Sequence, residues 1–298
     1  MVQLPTPIQE LSDPLFKEKS LRIFVKREDL LHAEIMGNKW RKLKYNLIEA
    51  KKQGFSTILT FGGAYSNHIA ATAAACKESG FKSIGIIRGD ELNENSNPTL
   101  QFATKKGMEL HFKDRNEYRR LRDDPYQIKE EFPKSYILPE GGTNSLAIKG
   151  CSEILIEDKE LYDIIVCPIG TGGTVTGIIK SASKNQIVLG ISSLKGDFIK
   201  EEINGMINFP IFGNYEVNTQ YHFGGYAKTT SELIEFMNLF KEKHGIQLEP
   251  IYTGKTFFAV WDMIKHDKFD KNQRIMLIHT GGLQGIEGFN RKNGNIIQ

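Results

Sequence analysis

Tyr162 to Ala182 read YDIIVCPIGTGGTVTGIIKSA. The apolar run before Gly170 is too short for a helix and ends at glycine, as a strand buried on both faces does. After the glycines, VTGIIKSA has helical spacing. Between them stand Gly170, Thr171, Gly172, Gly173 and Thr174. Glycines let a backbone approach an anion closely, a helix N-terminus offers free N–H groups and partial positive charge, and threonine hydroxyls add donors. The stretch therefore reads as a strand, a phosphate cup and a helix, although a tight strand-to-helix turn alone would also use these glycines. No G-K-[ST] follows, so it is no Walker loop. The G-x-G-x-x-G spacing is not met, and GISSLKGD offers no acid until Asp197, which disfavours a dinucleotide site.

The same unit recurs outward from this stretch. STILTF (Ser56 to Phe61) predicts a strand. SNHIAATAAACKESG (Ser66 to Gly80) predicts a helix with Ser66 as N-cap and Gly80 as stop. KSIGIIR is the next strand and NPTLQFATKKG a helix with Pro98 at its first position. MELHF and SYILP predict strands around a charged helix near Asn116 to Phe132, and QIVLGISSL and RIMLIHTGG repeat the strand pattern. Alternation of this kind implies an α/β fold with parallel sheets covered by helices on both faces. Ligands then bind beyond the carboxyl ends of the strands. Four post-strand loops are glycine-rich there: GGAYSNH, EGGTNS, IGTGGTVTG and TGGLQG.

Composition narrows the function classes. The 298 residues, 40 % hydrophobic and 25 % charged, suit a folded globular protein long enough for two domains. A net charge of +3 without a block of like charge gives no nucleic-acid or membrane surface. Cys76, Cys151 and Cys167 are widely spaced and odd in number, so neither disulfides nor a metal site is indicated. MVQLPTPIQEL lacks the pattern of a signal peptide, and no apolar segment approaches membrane-spanning length. A soluble, cytoplasmic protein is expected.

One lysine stands out. In EIMGNKWRKLKYN (Glu34 to Asn46), Gly37-Asn38 reads as a turn and cap presenting Lys39 at a helix start, while Arg41, Lys42 and Lys44 read as charges on the helix face. A single-phosphate cup, a lysine amine and a Ser-Asn pair at another helix start are together what a pyridoxal phosphate site requires. VKREDLL…GNKWRKLKYN, SNHIAATAAA, GTGGTVTG, EPIYTGKT and HTGG, in that order from Val25 to Gly282, resemble the fold-type II pyridoxal-phosphate enzymes. Within these they resemble the group of 1-aminocyclopropane-1-carboxylate (ACC) deaminase and D-cysteine desulfhydrase.

That resemblance implies two three-layer α/β domains with mostly parallel twisted sheets, like the tryptophan synthase β-subunit. The larger comprises 1–51 plus 145–298 and the smaller, inserted one 52–144; a homodimer acting on a small amino acid is expected. It makes Lys39 the Schiff-base lysine and, freed, the base at Cα, and its repeated Arg-Lys-Leu implies that one of Arg41, Lys42 and Lys44 supports the site. Asn67 bonds the cofactor phenolate, and Ser66 sits near the substrate carboxylate or Cα. Gly170, Thr171, Gly172, Gly173 and Thr174 hold the phosphate. Tyr252 stands beside ring and substrate, for proton transfer or as a stacking wall, and Thr253 faces the pyridine nitrogen. His68 and Tyr226 join the substrate site, although His68 could equally be a packed or capping histidine. ACC deaminases resemble one another in carrying Glu where this chain has Thr253. A hydroxyl holds the ring proton less strongly, which suits α,β-elimination of the D-cysteine desulfhydrase type to pyruvate, ammonia and sulfide. ACC deamination and amino-acid racemisation are the alternatives. Tyr65 and Met36 depart from the family pattern, and Tyr65 would narrow the pocket.

Overall fold

Strand β7 (Ile164–Ile169) is buried along its whole length, as expected for a strand covered on both faces. The computed structural model describes residues 2–156 and 162–298. Among them two sheets form. The six-stranded sheet runs β1-β2-β10-β7-β8-β9, with β1 (Ile8–Leu11), β2 (Arg22–Lys26), β8 (Ile187–Ser192), β9 (Asn214–Asn218) and β10 (Arg274–Ile278). Only the β1–β2 pairing is antiparallel. The four-stranded sheet runs β5-β4-β3-β6, all parallel, from β3 (Thr57–Gly63), β4 (Lys82–Arg88), β5 (Met108–Lys113) and β6 (Ser135–Leu138).

Strand alternation sorts the large core into two layers. Ile23, Val25, Ile164, Val166, Ile275 and Leu277 pack with Met237 and Phe240 of α10 (Ser231–His244) and Phe257 and Val260 of α11 (Thr253–Lys265). Phe24, Ile165, Cys167, Met276 and Ile278 face the other way, onto Ile178 of α8 (Gly173–Ser181) and Ile203 of α9 (Phe198–Met206). Helix α1 (Pro14–Glu18) adds Phe16 to the first layer. On the small sheet, the alanines of α3 (Asn67–Ser79) lie close against Ile58, and α5 (Arg115–Asp123) packs Tyr118 and Leu121 against Leu59 and Phe61. Helix α4 (Pro98–Lys105) buries Leu100 and Ala103 beside Ile69 and Ala73.

The local signals acted as read at several points. Ser66 caps α3 through Ile69 N–H, Gly80 closes it in the left-handed region, and Pro98 opens α4 behind the Asn97 cap. The charged helix expected near Asn116 to Phe132 is two helices, α5 and α6 (Pro125–Glu131). Asp124 sits extended between them because the residue before a proline is pushed out of the helical region. The sequence reading does not include β1, β2, β9 or α10, although Thr230 caps α10 and Gly245 closes it in the left-handed region.

The smaller sheet is joined to the rest through α2 (Asn38–Lys52) and α7 (Ser145–Cys151), which cross at closest approach. A Cβ on Gly150 would stand 1.9 Å from the Arg41 carbonyl oxygen, a backbone atom that cannot swing aside. Helix α12 (Gly285–Asn293) closes the chain. Gly150→Ala should therefore lower stability by about 1–3 kcal/mol, the usual cost of overpacking, as measured by urea denaturation. Gly205→Ala on α9 meets nothing within 4 Å and should leave the midpoint unchanged or raise it.

Candidate active site

The start of α2 is wedged against the loop that follows β10. Gly37 has φ 56°, and a Cβ there would stand 2.1 Å from the Thr280 carbonyl oxygen. Only glycine tolerates both conditions. The sequence reading of Gly37-Asn38 as a turn and cap needs correction at Asn38, whose side chain caps nothing. Its Nδ2 instead donates to Thr174 Oγ1 at 2.9 Å, tying α2 to the glycine-rich loop after β7.

Lys39 follows and opens, half-buried, onto a cavity of about 1190 Å³. The walls crowd out enough water to lower its pKa, since burial disfavours the charged amine. One turn on, Lys42 lies on the same helix face and lines the same cavity. Its Nζ donates to Gly141 O and Thr143 Oγ1, each at 2.9 Å, and to Thr171 Oγ1 at 3.2 Å. Burial first, then the charge of Lys39, pushes its pKa down to about 7. Arg41 points to the opposite side, where Nε and Nη2 each donate at 2.9 Å to the buried Glu28 carboxylate, which also accepts from Thr6 Oγ1. Arg41 and Lys42 are thus buried groups rather than solvated helix-face charges, because this helix is packed on all but one side. Lys44 fits the surface reading better, pairing with Glu153 at 2.7 Å.

The four glycine-rich loops meet at this cavity, whose wall includes Ser66, Gly141, Gly170, Thr171, Gly172 and Gly281. Gly172 is left-handed (φ 79°) and α8 begins behind it without a side-chain cap. Its first N–H groups are thereby free to face an anion. Thr171 is shared between Lys42 and Thr143 Oγ1. Thr174 lines the cavity, whereas Gly173 stands behind the wall against Thr143. Gly170 is where Tyr252 fits: a Cβ there would stand 2.9 Å from the Tyr252 ring. Tyr252 meets Tyr226 with ring centroids 6.2 Å apart, both on the cavity wall. Burial raises the pKa of each phenol, so both keep their protons.

Asn67 lines the cavity and its Oδ1 accepts from Gln284 Nε2 at 2.9 Å. His68 is buried below Ser66. Its Nε2 lies 2.8 Å from Thr60 Oγ1, and that hydroxyl's one proton goes to Leu138 O. Nε2 must therefore donate, leaving Nδ1 as a buried acceptor without a partner. Burial and the neighbouring lysines keep the ring neutral, with its pKa well below the usual value. Tyr65 also lines the cavity, its ring against Gly288 of α12, and Met36 lies against Gly281.

Thr253 departs from expectation. It is fully buried and outside the cavity wall, because its Oγ1 accepts from Glu249 N–H at 2.9 Å and turns back onto that residue's carbonyl. Thr280 is on the cavity wall instead. The Glu249 carboxylate is occupied by the N–H groups of Ile251, Tyr252 and Thr253. Lys42, Thr143 and Thr280 were missed as site residues. Lys42 had a signal, its i, i+3 spacing from Lys39.

These groups fit a cofactor bearing one phosphate and one aldehyde. Lys42 is a buried amine whose three acceptors are all uncharged oxygens, next to uncapped helix amides. Lys39 supplies a nearby amine of lowered pKa. Comparison with known proteins agrees. A Thermotoga maritima protein provisionally named 1-aminocyclopropane-1-carboxylate deaminase is 33 % identical, over 97 % of this chain and 97 % of its own. The Arabidopsis thaliana mitochondrial bifunctional D-cysteine desulfhydrase/1-aminocyclopropane-1-carboxylate deaminase is 30 % identical, over 96 % of this chain and 78 % of its own. The crystal structure of an ACC deaminase homologue superposes with a TM-score of 0.84 at 26 % identity, over 99 % of this chain and 95 % of that one. The family model for pyridoxal-phosphate-dependent enzymes matches residues 1–281. With a phosphate cup, an adjacent amine and a family match along nearly its whole length, this chain belongs to the pyridoxal-phosphate-dependent enzymes.

Proposed function

We propose that this enzyme is a lyase of the D-cysteine desulfhydrase type, releasing pyruvate, ammonia and sulfide from a small amino acid with a β-thiol. The observation that carries the choice is the polarity of one wall. Ile251, Tyr252, Thr280, Gly281 and Gly282 line it, and none is an acid. Glu249, just before this stretch in the chain, has its carboxylate spent on backbone N–H groups. Without a carboxylate to hold a proton on the ring nitrogen, the electron demand suits an elimination, in which charge at Cα need persist only until the leaving group departs.

Bound pyridoxal phosphate supplies the electron sink for the pair released at Cα. In this reading Lys42, Thr171, Thr174 and the first amides of α8 hold its phosphate, Lys39 holds it through the amine, and Asn67 donates toward its phenolate. Lys39 takes the proton from Cα, and burial, which lowers its pKa, favours the free amine that this step needs. Tyr252, which retains its proton, shields the site and can donate to the departing sulfur. Ser66 and Asn67 orient the substrate carboxylate. ACC deamination remains the second reading, favoured by the names of both relatives above.

Three outcomes are expected. The purified protein should show the cofactor's yellow band near about 410–430 nm, and Lys39→Ala should lose the band together with at least about 10³-fold of activity. A wild-type protein colourless after addition of pyridoxal phosphate would sink the reading. Among D-cysteine, D-serine, β-chloro-D-alanine and ACC, D-cysteine should give pyruvate fastest. Deamination of ACC at a comparable rate would favour the second reading, and inversion without pyruvate would point to a racemase. Finally, Lys42 is mostly unprotonated in the empty cup above pH 7, and a bound dianion raises its pKa. Inorganic phosphate binding to the cofactor-free protein at pH 8 should therefore take up a proton, seen by calorimetry in buffers of different ionisation enthalpy. Lys42→Met should diminish that uptake.

A further inference from the structure

The cavity does not end at the cofactor cup. Its wall continues to Arg88, Arg115 and Arg122, and these three, with Arg119 and Tyr118, also line an adjoining recess of about 370 Å³. Arg115, Arg119 and Arg122 are spaced i, i+4, i+7 on α5, which puts all three on one helix face. Arg88 comes from another element, the end of β4. Its guanidinium lies 5.9 Å over the Tyr118 ring, and its Nη2 would be 3.5 Å from a Cβ on Gly63, the last residue of β3 before the turn to Ser66 and Asn67. A main cavity larger than the roughly 300–1,000 Å³ of ordinary small-molecule sites leaves room beyond cofactor and amino acid.

The acids nearby do not balance these cations. Glu140 accepts from Tyr118 Oη at 2.8 Å and Arg122 Nη1 at 3.3 Å, and Asp123 pairs with Arg122 Nε at 2.7 Å. Glu117 pairs with Lys113, and Asp114 caps α5. Glu91 lines the main cavity but not the recess, and folds toward Gly89. None of the described acids forms an ion pair with Arg88, Arg115 or Arg119. Like charges brought together around a concave wall focus a positive potential, and an anion seated there relieves their repulsion. Guanidinium groups also match the planar oxygens of carboxylates and phosphates.

We propose that Arg88, Arg115 and Arg119, beside the paired Arg122, form an anion subsite at the mouth of the cavity, taking a small molecule with carboxylate or phosphate oxygens. The subsite stands on charge and shape. Where its occupant is an arm of the amino acid itself, it rests on the lyase reading above.

The test uses cofactor-loaded protein, so that the phosphate cup is filled, titrated calorimetrically with pyrophosphate at low ionic strength. Saturable one-site binding is expected, weakened at least tenfold in Arg115→Gln/Arg119→Gln. A Lys180→Gln control on α8 should bind as the wild type does. Absence of saturable binding, or equal affinity in the double variant, overturns the proposal. Should no cofactor bind, the Lys42→Met protein serves as the titrand, so the subsite is judged even if the lyase reading fails. Kinetics separate the two sources of the anion. A tenfold rise in KM for O-phospho-D-serine in the double variant, with D-cysteine unchanged, assigns it to the substrate. Unchanged KM values with lost pyrophosphate binding assign it to a separate molecule.

Discussion

Everything at this site depends on how closely α2 is pressed against the loop after β10. Gly37 permits that approach, and the buried Arg41–Glu28 pair holds it from the other side. A buried ion pair adds little net stability compared with apolar packing, but removal of one partner costs about 3–5 kcal/mol because the other charge is left stranded. Its contribution here is directional. With Arg41 fixed toward Glu28, the helix can turn only its Lys39–Lys42 face toward the cavity. Thr6 adds a third donor to Glu28, so the segment before β1, the turn after β2 and α2 are tied through one carboxylate.

The second constraint is electrostatic. Lys42 is buried among the carbonyl of Gly141 and the hydroxyls of Thr143 and Thr171, partners that can accept from it but cannot neutralise it. Such a group is costly as a cation in the empty protein, which is why its pKa falls to about 7. A phosphate reverses the balance. The same cup uses the free amides of α8, and Asn38 ties that helix's Thr174 to α2. The glycine-rich loop after β7 and the start of α2 that carries Lys39 are therefore one mechanical unit, although Asn38 and Thr174 are 136 residues apart in the chain.

How much of this could be read beforehand follows from where each signal lies. The strands of the sheet centre, the α3 cap and stop, and the four glycine-rich loops are local patterns, and local patterns survive folding when tertiary contacts agree with them. β1 and β9 lie at sheet edges, where a few half-exposed residues give little periodicity. The site residues missed or misread had little local signal of their role, and the spacing of Lys42 from Lys39 does not by itself tell a buried face from an exposed one. Lys42 looks like any helix-face lysine until the α2–α7 crossing buries it. Thr253 looks available until its place at the first turn of α11 turns its hydroxyl back on Glu249. Asn38 resembles a cap and proves to be a tie between distant loops.

That last point extends to EPIYTGKT as a whole. Glu249 gathers three backbone N–H groups at the start of α11, doing the work of a cap from four residues upstream. This frees Tyr252 to turn outward over Gly170 and fixes Thr253 inward. Lys255, buried on the next turn, donates to the carbonyls of His222 and Gly225, each at 2.9 Å. Phe223, Gly224, Gly225 and Ala227 all have positive φ, a run of conformations that the loop would not hold unaided. The lysine clamp therefore stabilises the loop that carries Tyr226 to the cavity, and the same short motif supplies Tyr252 to meet it. Two aromatic walls of one site, Tyr226 and Tyr252, are thus set by a single helix start.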